Sequence, residues 1–207
     1  MRKLLFITLL SSSFFVSSEE TISRWMSDYF KRIHDHIGNE NYEKAQYELE
    51  MGNNNYFRNG RTYEAALLYQ LYGQFYAVQS QYTEAVPWFE KALATEKMPR
   101  IGAQEVRFQL AQTYFMIGKY ENVIPLLDEF IRVGERYKYP VSARVNLLMS
   151  YSHGRLEQYE PSYFHIKQAN NKSDKPQLDW IEYAFSLAMK LENLDDAEDL
   201  GTRLLFL

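Results

Sequence analysis

The chain has 207 residues, a formal net charge of −4, 16% aromatic residues and 24% charged ones, with 9 Gly, 6 Pro and no Cys. The absent cysteines exclude disulfides, thiolate-ligated zinc, thiol catalysis and attachment through a lipidated Cys. Abundant apolar material excludes a wholly disordered chain, and the lack of basic runs leaves no nucleic-acid footprint.

Met1 to Ser18 reads MRKLLFITLLSSSFFVSS, with Arg2 and Lys3 ahead of an apolar centre and small residues before Glu19-Glu20. That layout predicts a cleaved secretory signal over residues 1–18, too short and serine-rich to span a membrane comfortably. Loss of Arg2 and Lys3 takes the charge of the mature chain to −6. An uncleaved anchor is the alternative.

From Thr21 onward the apolar periodicity predicts pairs of amphipathic helices. The first pair places a helix over about Ile22–Ile37, a break at Gly38-Asn39, and a second helix from Tyr42 containing Ala45 and Leu49. Asn53 to Gly60 reads as a turn-rich connector. The second pair, YQLYGQFYAVQSQYTEAVPWFEKA from Tyr69 to Ala92, carries the clearest pattern. Tyr69, Tyr72, Gly73 and Tyr76 mark its first helix, and Ala85, Phe89 and Ala92 its second. Gly73 and Ala85 are small where two helices cross closely, while Tyr76, Phe89 and Ala92 fill the space between them.

Three further pairs follow. In the third, Ala111 and Tyr114 stand for Gly73 and Tyr76, Val123 stands for Ala85, and Gly118 is expected to cap the first helix at positive φ. The fourth repeats the form with Ser150, Tyr159, Ser162, Ile166 and Ala169, the fifth with Leu194, Ala197, Gly201 and Leu204. The small residue of each second helix recurs at Ala45, Ala85, Val123, Ser162 and Ala197, with spacings of 40, 38, 39 and 35 residues.

An aromatic, an apolar-plus-Gly pair, a Tyr and then Ala…Phe at such a period resemble the tetratricopeptide repeat, whose standard length is about 34 residues. The resemblance spans Thr21 to Leu207 and implies an all-α, right-handed solenoid of about five hairpins, roughly 22–56, 62–96, 103–135, 140–170 and 177–207. The apolar run Arg203 to Leu207 has no polar cap of the kind that closes a solenoid. Either another molecule covers that face or the chain continues beyond residue 207.

In the family the first helix of each pair lines a concave surface where partners bind. Carried over by alignment, the peptide groove would comprise Gln70, Gln74, Phe108, Gln112, Phe115, Leu147, Tyr151 and Glu182. Gln70, Phe108 and Leu147 stand where carboxylate-clamping members have Lys, so an extended or helical peptide is expected instead of a captured chain terminus.

No catalytic, metal or cofactor site is expected. His34 and His36 are two apart and diverge on a helix, whereas paired ligands on one face need i, i+4. His153 and His165 are assigned to packing or surface. The acidic run Asp195 to Asp199 lacks the Gly turn of a calcium loop and suits a helix N-terminus. Asn171-Lys172-Ser173 is a glycosylation sequon of consequence only in a eukaryotic secretory pathway.

More narrowly, an exported Cys-free chain with QLYGQFYAVQSQYTEAVPWFEKAL and QLAQTYFMIGKYENVIPLLDEFI resembles the periplasmic tetratricopeptide proteins that accompany TonB–ExbB–ExbD systems of gamma-proteobacteria. That resemblance implies a non-catalytic, at most membrane-peripheral scaffold with a protein or peptide partner, one component of the energy-transducing machinery. Two other roles stay open: an envelope-assembly factor, or the helical appendage of an enzyme whose catalytic part lies elsewhere.

Overall fold

The computed structural model describes residues 22–55, 62–173 and 177–205; the expected signal sequence lies outside them. Among the described residues there are ten α-helices and no strand. They are α1 (Arg24–Gly38), α2 (Tyr42–Asn55), α3 (Tyr63–Val78), α4 (Tyr82–Ala94), α5 (Arg100–Met116), α6 (Tyr120–Tyr137), α7 (Ala143–Arg155), α8 (Tyr159–Asn171), α9 (Leu178–Lys190) and α10 (Leu194–Leu205). The chain divides into two compact units, Met1–Ile117 and Gly118–Leu207.

Helix starts follow local chemistry. Ser23 Oγ accepts the Met26 N–H at 3.2 Å and Thr62 Oγ1 accepts that of Ala65 at 3.2 Å, each satisfying a donor the helix cannot. Residues 53–55, expected in a connector, continue α2 instead. Gly52 keeps that stretch tight: a Cβ there would sit 2.6 Å from the Tyr29 hydroxyl oxygen. The same Tyr29 hydroxyl donates to the Glu48 carbonyl and ties α1 to α2.

Five turns from a first to a second helix share one backbone solution. Glu40, Ser80, Gly118, Glu157 and Glu192 all adopt positive φ, between 57° and 77°. Their spacings of 40, 38, 39 and 35 residues equal those of the small residues on the second helices. In four of them the next N–H reaches back five residues: Asn41 to His36, Gln81 to Tyr76, Gln158 to His153 and Asn193 to Ala188, at 2.9–3.0 Å. This is the bond pair of a Schellman cap, which satisfies carbonyls the first helix leaves open. Gly118 takes the role expected of it; the other four turns use side-chain-bearing residues at a steric cost.

Within residues 1–117, α1, α2 and α3 enclose Phe30, Ile33, Ile37, Leu49, Leu68 and Leu71, while α4 packs on both α3 and α5. Gly73 lets α3 approach α4 so closely that a Cβ would lie 2.5 Å from Phe89 Cε1. Trp88 stacks on Tyr72 with centroids 4.0 Å apart and planes 9° apart, and Lys91 Nζ lies 4.2 Å from the Trp88 ring centroid.

Within residues 118–207, α7 pairs with α8 and α9 with α10 around Leu147, Ile166, Trp180, Ile181 and Ala184. The α7/α8 crossing is held by a reciprocal serine pair. Ser150 Oγ donates to the Ser162 carbonyl at 2.7 Å, and Ser162 Oγ to the Ser150 carbonyl at 2.8 Å. In the last hairpin the large and small partners exchange. Phe185 stands at the register of Gly73 and Gly201 at that of Phe89, and a Cβ on Gly201 would touch Phe185 at 3.4 Å.

Candidate interaction surface

The first helices carry the side chains expected to meet a partner, and their accessibility differs in a regular way. Residues 14, 10, 7 and 3 before the left-handed turn residue form one stripe by i, i+4, i+7, i+11 spacing. On α3 that stripe is Ala66, Gln70, Gly73 and Ala77, all buried. Gln70 Nε2 donates to Gln109 Oε1 on α5 at 3.3 Å, so a following first helix covers it. On α7 the stripe is Ala143, Leu147, Ser150 and Gly154. Leu147 joins the cluster of Trp180, Ile181 and Ala184 on α9, and the Tyr183 hydroxyl lies against Gly154.

Gln70 and Leu147 are thus buried beneath the next helix of their own unit, and Gln74 and Gln112 are buried as well. Phe108 and Phe115 on α5 and Tyr151 on α7 keep part of their surface, and Glu182 on α9 is exposed. The structure brings Gln70, Gln74, Phe108, Gln112 and Phe115 onto α3 and α5 of one unit, and Leu147, Tyr151 and Glu182 onto α7 and α9 of the other. Tyr151 packs on Tyr183 with centroids 5.1 Å apart. Burial, then the nearby Asp179 charge, pushes the Tyr151 phenol up to about 12, so it acts only as a neutral hydrogen-bonding group.

Two glutamines that sequence reasoning missed join the polar set. Gln104 and Gln109 on α5 are buried, and Gln104 Oε1 accepts from Arg107 at 2.6 Å. For Gln104 the visible signal was the spacing Gln104-Phe108-Gln112-Phe115, one continuous stripe; Gln109 lies off it.

His153 and His165, assigned to packing or surface, stack on each other across α7 and α8 with centroids 5.6 Å apart and planes 4° apart. His153 Nδ1 lies 2.6 Å from Gln158 Oε1 and His165 Nδ1 lies 3.3 Å from Asn146 Oδ1. Burial, then the neighbouring imidazole and Lys172, pulls His165 down to about 4.

Asp196, in the acidic first turn of α10, accepts from Tyr163 at 2.7 Å, Lys167 at 2.7 Å and Asn193 at 2.9 Å. Those three donors occupy the carboxylate and lower its pKa. Among the described residues no group of three or more His, Cys, Asp or Glu is placed to hold a metal ion. No described helix is long and apolar enough to cross a membrane.

The hairpins and their repeated turn define an all-α solenoid of tetratricopeptide type. No protein-family model and no curated protein matches the sequence. Solved structures share the fold. MamA from Desulfovibrio magneticus superimposes with a TM-score of 0.68 at 17% identity, over 89% of this chain and 96% of that one. A double mutant of MamA gives 0.70 at 14% identity, over 89% and 95%. YrrB, described as a tetratricopeptide protein with an unusual peptide-binding site, gives 0.68 at 15% identity, over 86% and 83%.

Proposed function

We propose that this chain is a non-catalytic, exported interaction scaffold that holds a component of a TonB-type energy-transducing system in the periplasm. The observation that carries the interaction role is the α5 stripe, where half-buried Phe108 and Phe115 alternate with buried Gln104 and Gln112. Aromatic faces beside amide groups suit a peptide bound through apolar pockets and backbone hydrogen bonds. That YrrB is a peptide-binding protein of the same fold supports the reading. The secretory signal expected over residues 1–18 and the resemblance of the two central repeats are what support the compartment and the system in this reading.

The test is an affinity pull-down with the mature chain from envelope extracts, alongside a variant carrying Phe108→Ala and Gln112→Ala. TonB, ExbB, ExbD or an iron-uptake receptor should be recovered by the native chain and depleted with the variant, whose helicity stays native. Recovery of outer-membrane assembly factors or cell-wall enzymes alone would replace this reading with an envelope-assembly role. Unfolding of the variant would show the α5 stripe to be core.

A further inference from the structure

Helix α8 carries two stripes with opposite fates. Ser162, Ile166 and Ala169 are fully buried. Glu160, Phe164, Gln168 and Asn171 follow one another at i, i+4, i+8 and i+11 on the side away from them. Between this outer stripe and the first turn of α10 lies a cleft of about 340 Å³. Asp196, the acceptor of Tyr163, Lys167 and Asn193, stands across it. Every wall falls between residues 160 and 196, inside the second unit.

The lining combines one open aromatic ring with a polar rim. Phe164 is 57% exposed, and His165 meets it edge-on with centroids 5.1 Å and planes 81° apart. Among the described residues the side chains of Glu160, Gln168 and Asn171 have no hydrogen-bond or ion-pair partner. The two amides can both donate and accept, and the Glu160 carboxylate accepts. Lys167 and Asp196 compensate each other at 2.7 Å, which leaves Glu160 as the uncompensated charge of the lining. Glu160 opposes an anion. An amphipathic helix would need a row of apolar anchors, and the cleft offers it one exposed ring.

We propose that the cleft between α8 and α10 binds a neutral saccharide, one pyranose ring stacked on Phe164 and its hydroxyls held by Glu160, Gln168 and Asn171. A sugar ring has an apolar C–H face and a rim of hydroxyls that donate and accept at once. That is the complement of a single aromatic face ringed by amides and a carboxylate. The cleft has the size of a small-ligand site, with few polar groups to fix orientation. It is separate from the α5 stripe, so either reading can fail without the other.

The probes are three neutral trisaccharides, cellotriose, chitotriose and maltotriose, with trilysine as the control for attraction to Glu160 alone. Each is titrated into the 15N-labelled chain and followed by NMR. At least one trisaccharide should shift the amides of residues 160–171 saturably, and trilysine should not. Phe164→Ala should weaken that sugar by about tenfold, whereas Phe164→Trp should keep its binding. Gln168→Ala with Asn171→Ala should weaken it as well. Phe164 and Asn171 are exposed and Gln168 is half-buried, and circular dichroism checks that each variant keeps its helicity. Absence of saturable shifts with all three sugars overturns the proposal, as does sugar binding that Phe164→Ala leaves unchanged. Trilysine binding in place of the sugars would make the cleft a site for cationic peptides instead.

Discussion

The closeness of α3 and α4 can be tested by giving Gly73 a side chain. A Cβ at residue 73 would lie 2.5, 2.6 and 2.8 Å from Phe89 Cε1, Cδ1 and Cγ, the body of a fully buried ring. The ring cannot swing away as the end of a flexible chain would. In an open helix interior Gly→Ala would stabilise by about 1 kcal/mol through propensity. Overpacking at this crossing costs about 1–3 kcal/mol and opposes it. Gly73→Ala is therefore expected to destabilise by about 1 kcal/mol, and Gly73→Leu by more. At the same registers the sequence of the third repeat carries Ala111 and Leu127, a larger and a smaller residue than Gly73 and Phe89, which suggests the remedy. Phe89→Leu should cost about 1–2 kcal/mol alone, yet its addition to Gly73→Ala should recover part of the loss, a coupling of about 1 kcal/mol. Urea unfolding followed by circular dichroism and Trp fluorescence gives all four corners of the cycle. If Gly73→Ala stabilises the chain, or if the two changes add without coupling, the close approach at Phe89 is not what requires glycine.

The left-handed turn residues divide by sign: Glu157→Gly should stabilise by about 1 kcal/mol and Gly118→Ala should destabilise by about as much, read as opposite shifts in urea midpoint. Ser162→Ala removes the donor to the Ser150 carbonyl at a fully buried crossing and should cost about 1–2 kcal/mol in the same assay. The stacked imidazoles should make stability depend on pH. His165 sits near 4 in the fold against 6.5 unperturbed, so the unfolded chain binds more protons between those values. Stability is therefore intact above about pH 6.5 and falls as pH drops toward 4. Because the ring is partly solvated, the loss should not exceed about 1–2 kcal/mol. His165→Phe should flatten that part of a melting-temperature profile; an unchanged slope would place the proton elsewhere.

Much of the fold was legible along the chain because helical hairpins are local objects. Period-3.6 apolar spacing, small residues at crossings and Gly118 at a turn are all set by neighbours within about one repeat. The recurrence of Ala45, Ala85, Val123, Ser162 and Ala197 carried the register, and the left-handed residues fall at the same intervals. Four of those turns were not legible, since Glu40, Ser80, Glu157 and Glu192 have no intrinsic preference for positive φ. The reach-back bonds of the cap impose it. The continuation of α2 through Asn55 was hidden as well: the asparagines after Gly52 look like a turn, and only the structure shows Tyr29 packed against Gly52 within the helix.

Accessibility was the property that only tertiary structure decided. Gln70, Leu147 and Glu182 occupy one register and look equivalent in sequence. A following helix covers Gln70 and Leu147, while among the described residues Glu182 is exposed. Periodicity specifies which residues share a stripe, because that depends on helix geometry alone. Whether a stripe is core or surface depends on what packs against it. That is a relation between segments about 40 residues apart, which no single helix encodes.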